Sequence, residues 1–162
     1  FTHLPHIRLK VKNIEVNCKF QYDTNTSHIA HKFPISPEKA IITWAQDRLL
    51  IAGINNIARL TIIQADAQEI KLKIDKSFTG AFKNQQSARY QTFVKVSLEI
   101  FDENKIQQGI VIGEAEHSIT VSEATPLSDR RKIWYNLIEK LMAKFDSAMQ
   151  KSINNNLRSY VN

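Results

Sequence analysis

YQTFVKVSLEIFDENKIQQGIVIGEAEHSITV, residues 90–121, is the stretch that decides the fold. Tyr90, Thr92, Val94, Val96, Leu98 and Ile100 alternate with Lys95, Ser97 and Glu99. That is the period of two expected of a strand with one buried face. Asp102-Glu103-Asn104-Lys105 is a turn, and residues 106–121 return, so the segment reads as a hairpin. On the return strand Val111, Gly113, Ala115, His117, Ile119 and Val121 share one phase. Gly113 and Ala115 are small and leave room for a helix lying across that face.

Downstream, Thr125-Pro126 begins such a helix by cap-plus-proline logic. Leu127, Trp134, Leu137, Ile138, Leu141, Phe145, Ala148, Met149 and Ile153 form its apolar stripe. About 30 residues of helix extend roughly 45 Å, longer than a typical strand. SINNNLRSYVN loses the pattern, so residues 154–162 are expected to fray, unless Leu157 and Tyr160 contact a partner.

Upstream, ARLTIIQADAQEIKLKI (58–74) is β-rich. Its phase changes between Ile62 and Ile63, which predicts a bulge, and Ile70, Leu72 and Ile74 resume the alternation. SFTGAFKNQQSA (77–88) reads as a loop with Gly80 permissive and with Phe78 and Phe82 anchoring it. Ser36-Pro37-Glu38 starts a helix of about 15 residues with Ile41, Trp44 or Ala45, Leu49 and Ala52 on its apolar face, stopped by Gly53. IRLKVKNIEVNCKF (7–20) reads as one long strand, bent near Lys12–Asn13, where its apolar phase slips by one. Within it Cys18 is expected to be a small buried hydrophobe. The order β-α-β-β-β-α predicts one α+β domain over residues 1–162, an antiparallel-rich sheet with both helices packed on one face.

Composition sets further bounds. With 162 residues, 43% hydrophobic and 23% charged, the chain can bury a core without staples. The net charge of +6 is first that of an ordinary solvated surface, and it also suits an anionic partner such as lipid headgroups, lipopolysaccharide or nucleic acid. One cysteine allows no internal disulfide and no multi-cysteine metal site. No run approaches the roughly 18 apolar residues of a membrane span.

The chain carries no phosphate loop, nucleophile elbow or zinc motif, so no catalytic, cofactor-binding or metal residues are assigned. His28 and His31 lie in the polar stretch 22–35 and lack an evident further ligand set. His117 suits a core-edge histidine; an enzyme with an unrecognised site would use it or the His28/His31 loop. Residues 126–162 hold seven Lys or Arg against three acids. Arg130, Arg131 and Lys132 open the last helix at the dipole end that disfavours cations, which marks them as candidate anion or partner contacts. Aromatic platforms and a recognition helix are missing beside them, so nucleic acid is not expected as a partner.

SPEKAIITWAQDRL (36–49), IIQADAQEIKL (62–72), FKNQQSARYQTFVKVSLEIFDENK (82–105) and VSEATPLSDRRKIWYNLIEKLMAKFDSAM (121–149) resemble a family of α-proteobacterial envelope lipoproteins. The resemblance covers residues 36–150, and Ala88-Arg89-Tyr90 and Ile133-Trp134-Tyr135-x-Leu137 are its most specific parts. The element order is also similar to that of lipopolysaccharide-assembly lipoproteins and auxiliary lipoproteins of lipid-transport systems. The resemblance implies a periplasm-facing domain, anchored at the outer membrane through a lipidated cysteine ahead of Phe1. It implies a binding or assembly module whose partner is another envelope protein or an anionic lipid, with membrane contact only through that anchor. Direct binding of anionic lipid or lipopolysaccharide in an envelope lipid-transport system is the alternative it suggests. It brings no catalytic residues to carry over.

Overall fold

The computed structural model describes residues 1–21, 28–72, 86–122 and 124–162. The hairpin is formed by β5 (Gln86–Phe101) and β6 (Gln107–Ser122). Asp102 shapes its turn, its Oδ1 accepting from the backbone N–H of Asn104 and Ile106, with Lys105 at φ 62°. β4 (Ile57–Lys71) pairs antiparallel with β5, and the register slips between Ile62 and Gln64, so Ile63 is the bulge residue its phase change predicts. β2 (Asn13–Cys18) adds a parallel edge, giving the order β2-β4-β5-β6. A parallel pair needs a crossover, and α1 (Pro37–Arg48) supplies it. α2 (Leu127–Asn156) lies on the same face, mostly over β6. The α+β class with both helices on one side of the sheet is therefore as expected.

Several local expectations are corrected. The first segment is two strands in two sheets. β1 (Ile7–Leu9) pairs parallel with β3 (Leu49–Ile51), and the chain breaks at Val11, whose N–H folds back onto Leu9 O, before β2 begins. The phase slip marks this sheet change. α1 starts as expected, with Ser36 Oγ accepting from Lys39 N at 3.2 Å and Pro37 in the first turn. It ends at Arg48, short of the expected stop at Gly53, because residues 49–51 find a ladder on β1. Gly53 serves another purpose there: a Cβ at that position would sit 2.5 Å from the Lys10 carbonyl carbon, so only glycine lets the two backbones approach. Cys18 is exposed rather than buried. Its phase does match Ile62 on the helix side, but α1 packs over β4, and Cys18 lies at the outer edge of the sheet beside Glu38 of the first helical turn.

α2 begins on Pro126 as N-cap, without a side-chain cap from Thr125, and Leu127 is exposed rather than part of the stripe. Residues 154–162 are not frayed. The helix continues to Asn156, Leu157 is fully buried against Gly109, and a 3-10 turn at Arg158–Tyr160 returns the chain to β1. There Lys10 N donates to Tyr160 O and Asn162 N to Arg8 O, so backbone hydrogen bonding replaces the missing apolar pattern. The expected anchors Phe78 and Phe82, and the strand continuation to Ile74, lie outside the described residues.

Under α2 the sheet has the bed that small residues predict. A Cβ on Gly113 would stand 3.0 Å from Met149 Cε and 3.2 Å from Phe145 Cε2. Phe33 stacks on Trp134 at 5.3 Å, and Tyr90 meets the same indole edge-on at 5.6 Å, so the segment before α1 is fastened to the start of α2.

Candidate functional site

The two helices do not close completely on each other. Between them lies a cleft of about 580 Å³, bounded by the first residues of the chain, Ile35, α1 and α2. Its wall is largely apolar, with Leu4, Ile35, Ala40, Ile138 and Met142, while Tyr135 and Glu139 stand at its solvent side. Cavities of this volume, mostly apolar with a few fixed polar groups, are the form that small-ligand sites take.

Asp146 supplies the polar point of the cleft. Its Oδ1 accepts from Trp44 Nε1 at 2.7 Å and from Arg48 Nε at 2.8 Å. Trp44 and Arg48 are four residues apart, so one face of α1 presents both donors to one carboxylate. Arg48 is buried, and its Nη1 finds no acceptor among the described residues. Neither Arg48 nor Asp146 is evident from the sequence as a site residue. The available signal is an acid inside the stripe Leu141, Met142, Phe145, Met149, where packing alone would place a hydrophobe.

The sequence candidates occupy other places. Arg130, Arg131 and Lys132 do not form one cluster, since consecutive helical residues point about 100° apart. Arg130 bends back so that Nε donates to Thr125 O at 3.1 Å, and it lies beside Tyr90; Arg131 and Lys132 are exposed. Burial, and then the Glu69 carboxylate, push the Tyr90 phenol above its ordinary range, with Arg130 opposing. His117 sits at the margin of α2, its Nδ1 3.4 Å from Lys144 Nζ. Partial burial, then Lys144 and Lys140, lower its pKa, so the ring stays neutral between two ammonium groups.

His28 and His31 do not converge. His31 is exposed on the 3-10 turn Ala30–Lys32, whereas His28 Nδ1 lies 2.5 Å from Asp66 Oδ1. Asp66 is buried and also accepts from Gln68 Nε2 at 2.6 Å. Asp66 and Gln68 border a polar recess of about 250 Å³ with Gln64, Gln91 and Phe93, on the sheet face opposite the helices. Among the described residues no three His, Cys, Asp or Glu come together to hold a metal ion. No helix among the described residues is long and apolar enough to cross a membrane.

No protein-family model matches the chain, and no curated protein matches it in sequence. Its fold is similar to that of the rare lipoprotein B from Shewanella oneidensis, with a TM-score of 0.45 and 13% identity over 89% of this chain and 96% of that one. It is also similar to a minor lipoprotein from Acinetobacter baumannii, with a TM-score of 0.43 and 14% identity over 91% of this chain and 96% of that one.

Proposed function

We propose that this chain is a non-catalytic binding module of the bacterial cell envelope, facing the periplasm at the outer membrane, and that the interhelical cleft receives an apolar group of its partner. The apolar cleft carries the binding reading, and the sequence resemblance over residues 36–150 supports the compartment. Leu4, Ile35, Ile138 and Met142 offer nonpolar surface, which gains free energy when covered. Asp146 is held from behind by Arg48 and Trp44, so its carboxylate is oriented before any partner arrives.

The cleft is tested by titration with the fluorescent apolar probe N-phenyl-1-naphthylamine. Saturable binding at one site is expected, and Ala143→Trp, which fills the cleft from its exposed rim, should abolish it. Equal binding by that variant would overturn the assignment. Fractionation of the full-length protein tests the compartment separately, since recovery in the cytoplasm without incorporated lipid precursor rejects it.

A further inference from the structure

Two of the most exposed hydrophobic side chains lie on neighbouring turns at one end of the sheet. Ile54 is 86% exposed and Ile106 is 59% exposed. Ile57 pairs with Phe101 at the ends of β4 and β5, so the turn before β4 and the turn after β5 emerge side by side. Lys12 ties them together, its N–H donating to Asn55 O at 3.0 Å and its Nζ lying 3.8 Å from Glu103 Oε1. Leu50 and Ile51 on β3, which leads into the first turn, are exposed as well.

Both turns are fixed. Asn56 and Lys105 take left-handed backbone conformations, and Ile106 is held through both its N–H and its carbonyl to Asp102. Isoleucines on fixed, protruding turns gain nothing from exposure in water, and no core residue needs them there.

The surrounding charge identifies the occupant. Lys10, Lys12, Lys105 and Arg158 lie at this end, with Asp102 and Glu103 as its acids. The Asp102 carboxylate accepts from Asn104, Ile106 and Gln108 and Glu103 is paired with Lys12, so these four cations against two acids leave a net positive charge of two at this end. Arg158 belongs here because Lys10 bonds the same 3-10 turn, through Ser159 O and Tyr160 O. Protruding aliphatic residues ringed by lysine are the composition of a surface that enters a headgroup layer. Protein interfaces have the opposite bias, being depleted in lysine and enriched in aromatic residues. We propose that this end of the molecule docks on an anionic bilayer, Ile54 and Ile106 entering the acyl boundary while the cations meet the headgroups. None of these residues lines the interhelical cleft, so this contact stands or falls separately from the cleft's ligand.

Co-sedimentation with vesicles of phosphatidylglycerol and phosphatidylcholine tests it. The parent should bind the mixed vesicles, release them as salt is raised, and bind pure phosphatidylcholine far more weakly. Ile54→Ser with Ile106→Ser should weaken binding by about tenfold or more. Ile112→Ser, which changes an exposed isoleucine on the flat sheet face, should leave it unchanged. An unchanged thermal melt will show that the double variant is folded. The proposal is overturned if the double variant binds like the parent, or if Ile112→Ser is equally damaging. A parent that self-associates through these residues, becoming monomeric only in the double variant, would assign the surface to a second copy instead.

Discussion

Arg48 and Asp146 meet at 2.8 Å between α1 and α2, although 98 residues separate them in the chain. Trp44 shares the same carboxylate oxygen, so the contact joins the helices through one buried acceptor. Charges withdrawn from water in this way add little net stability as an intact pair, but each becomes expensive when the other is removed.

Asp146→Ala should therefore lower unfolding stability by about 3–5 kcal/mol, because the Arg48 guanidinium stays buried without its anion. Replacing both, Arg48→Met with Asp146→Leu, should recover most of that loss. Urea denaturation of the parent and the two variants measures it; a single variant no worse than the double one would mean that the ion pair does not set the helix spacing.

Gly113→Val should cost about 1–3 kcal/mol, since its side chain would press on Met149 and Phe145 in the closest part of the α2–β6 contact. Gly109→Ala should cost less. Its Cβ would meet a terminal methyl of Leu157 at 2.6 Å, near the end of the sheet, where a small shift of that side chain relieves the contact, and Tyr160 Cε2 only at 4.0 Å. The relative thermal midpoints of the two variants decide the point.

These contacts show where the sequence was readable. A small residue in the inward phase of a strand announces a close neighbour, so the bed at Gly113 and Ala115 could be inferred without coordinates. The bulge at Ile63 was legible in the same way, because a slip of one residue in a period-two pattern has few physical causes. The split of residues 7–20 between two sheets was not. Three residues make a strand only where a partner waits, and β1 has β3 on one side and Val161 on the other. The cleft was also hidden. Its position depends on how far apart two helices stand, which neither helix records alone, and its polar residue is oriented by Trp44 and Arg48 on the other helix.

His117 gives the fold a mild acid sensitivity. Its pKa is lowered below the ordinary 6.5, so on acidification the unfolded chain takes up this proton before the folded one. Its contribution to stability is complete above about 6.5 and declines as the pH falls from there through the lowered folded value. His117→Gln should reduce the difference in urea midpoint between about pH 7.5 and pH 5. A variant with the parent's full pH dependence would place the effect elsewhere.

Cys18 should react slowly despite its exposure. Partial burial raises its thiol pKa above 9.0, a backbone hydrogen bond from Phe20 opposes this, and the nearby Glu38 carboxylate adds to the rise. Little thiolate then exists near neutral pH. Iodoacetamide should modify it more slowly than an unstructured cysteine peptide, and Glu38→Gln should speed the reaction. A rate equal to that of the free peptide would show that the surroundings do not govern the thiol.

The pairing of Leu9 with Val161 bears on the rate at which this molecule assembles. It closes a loop spanning nearly all of the described chain, and closing so long a loop must follow the local events that form the β5–β6 hairpin and the two helices. The docking of the C-terminal turn on β1 is then expected to come last during refolding. Hydrogen exchange at Lys10, whose N–H bonds to Tyr160 O, should report that step separately from the collapse of the main sheet.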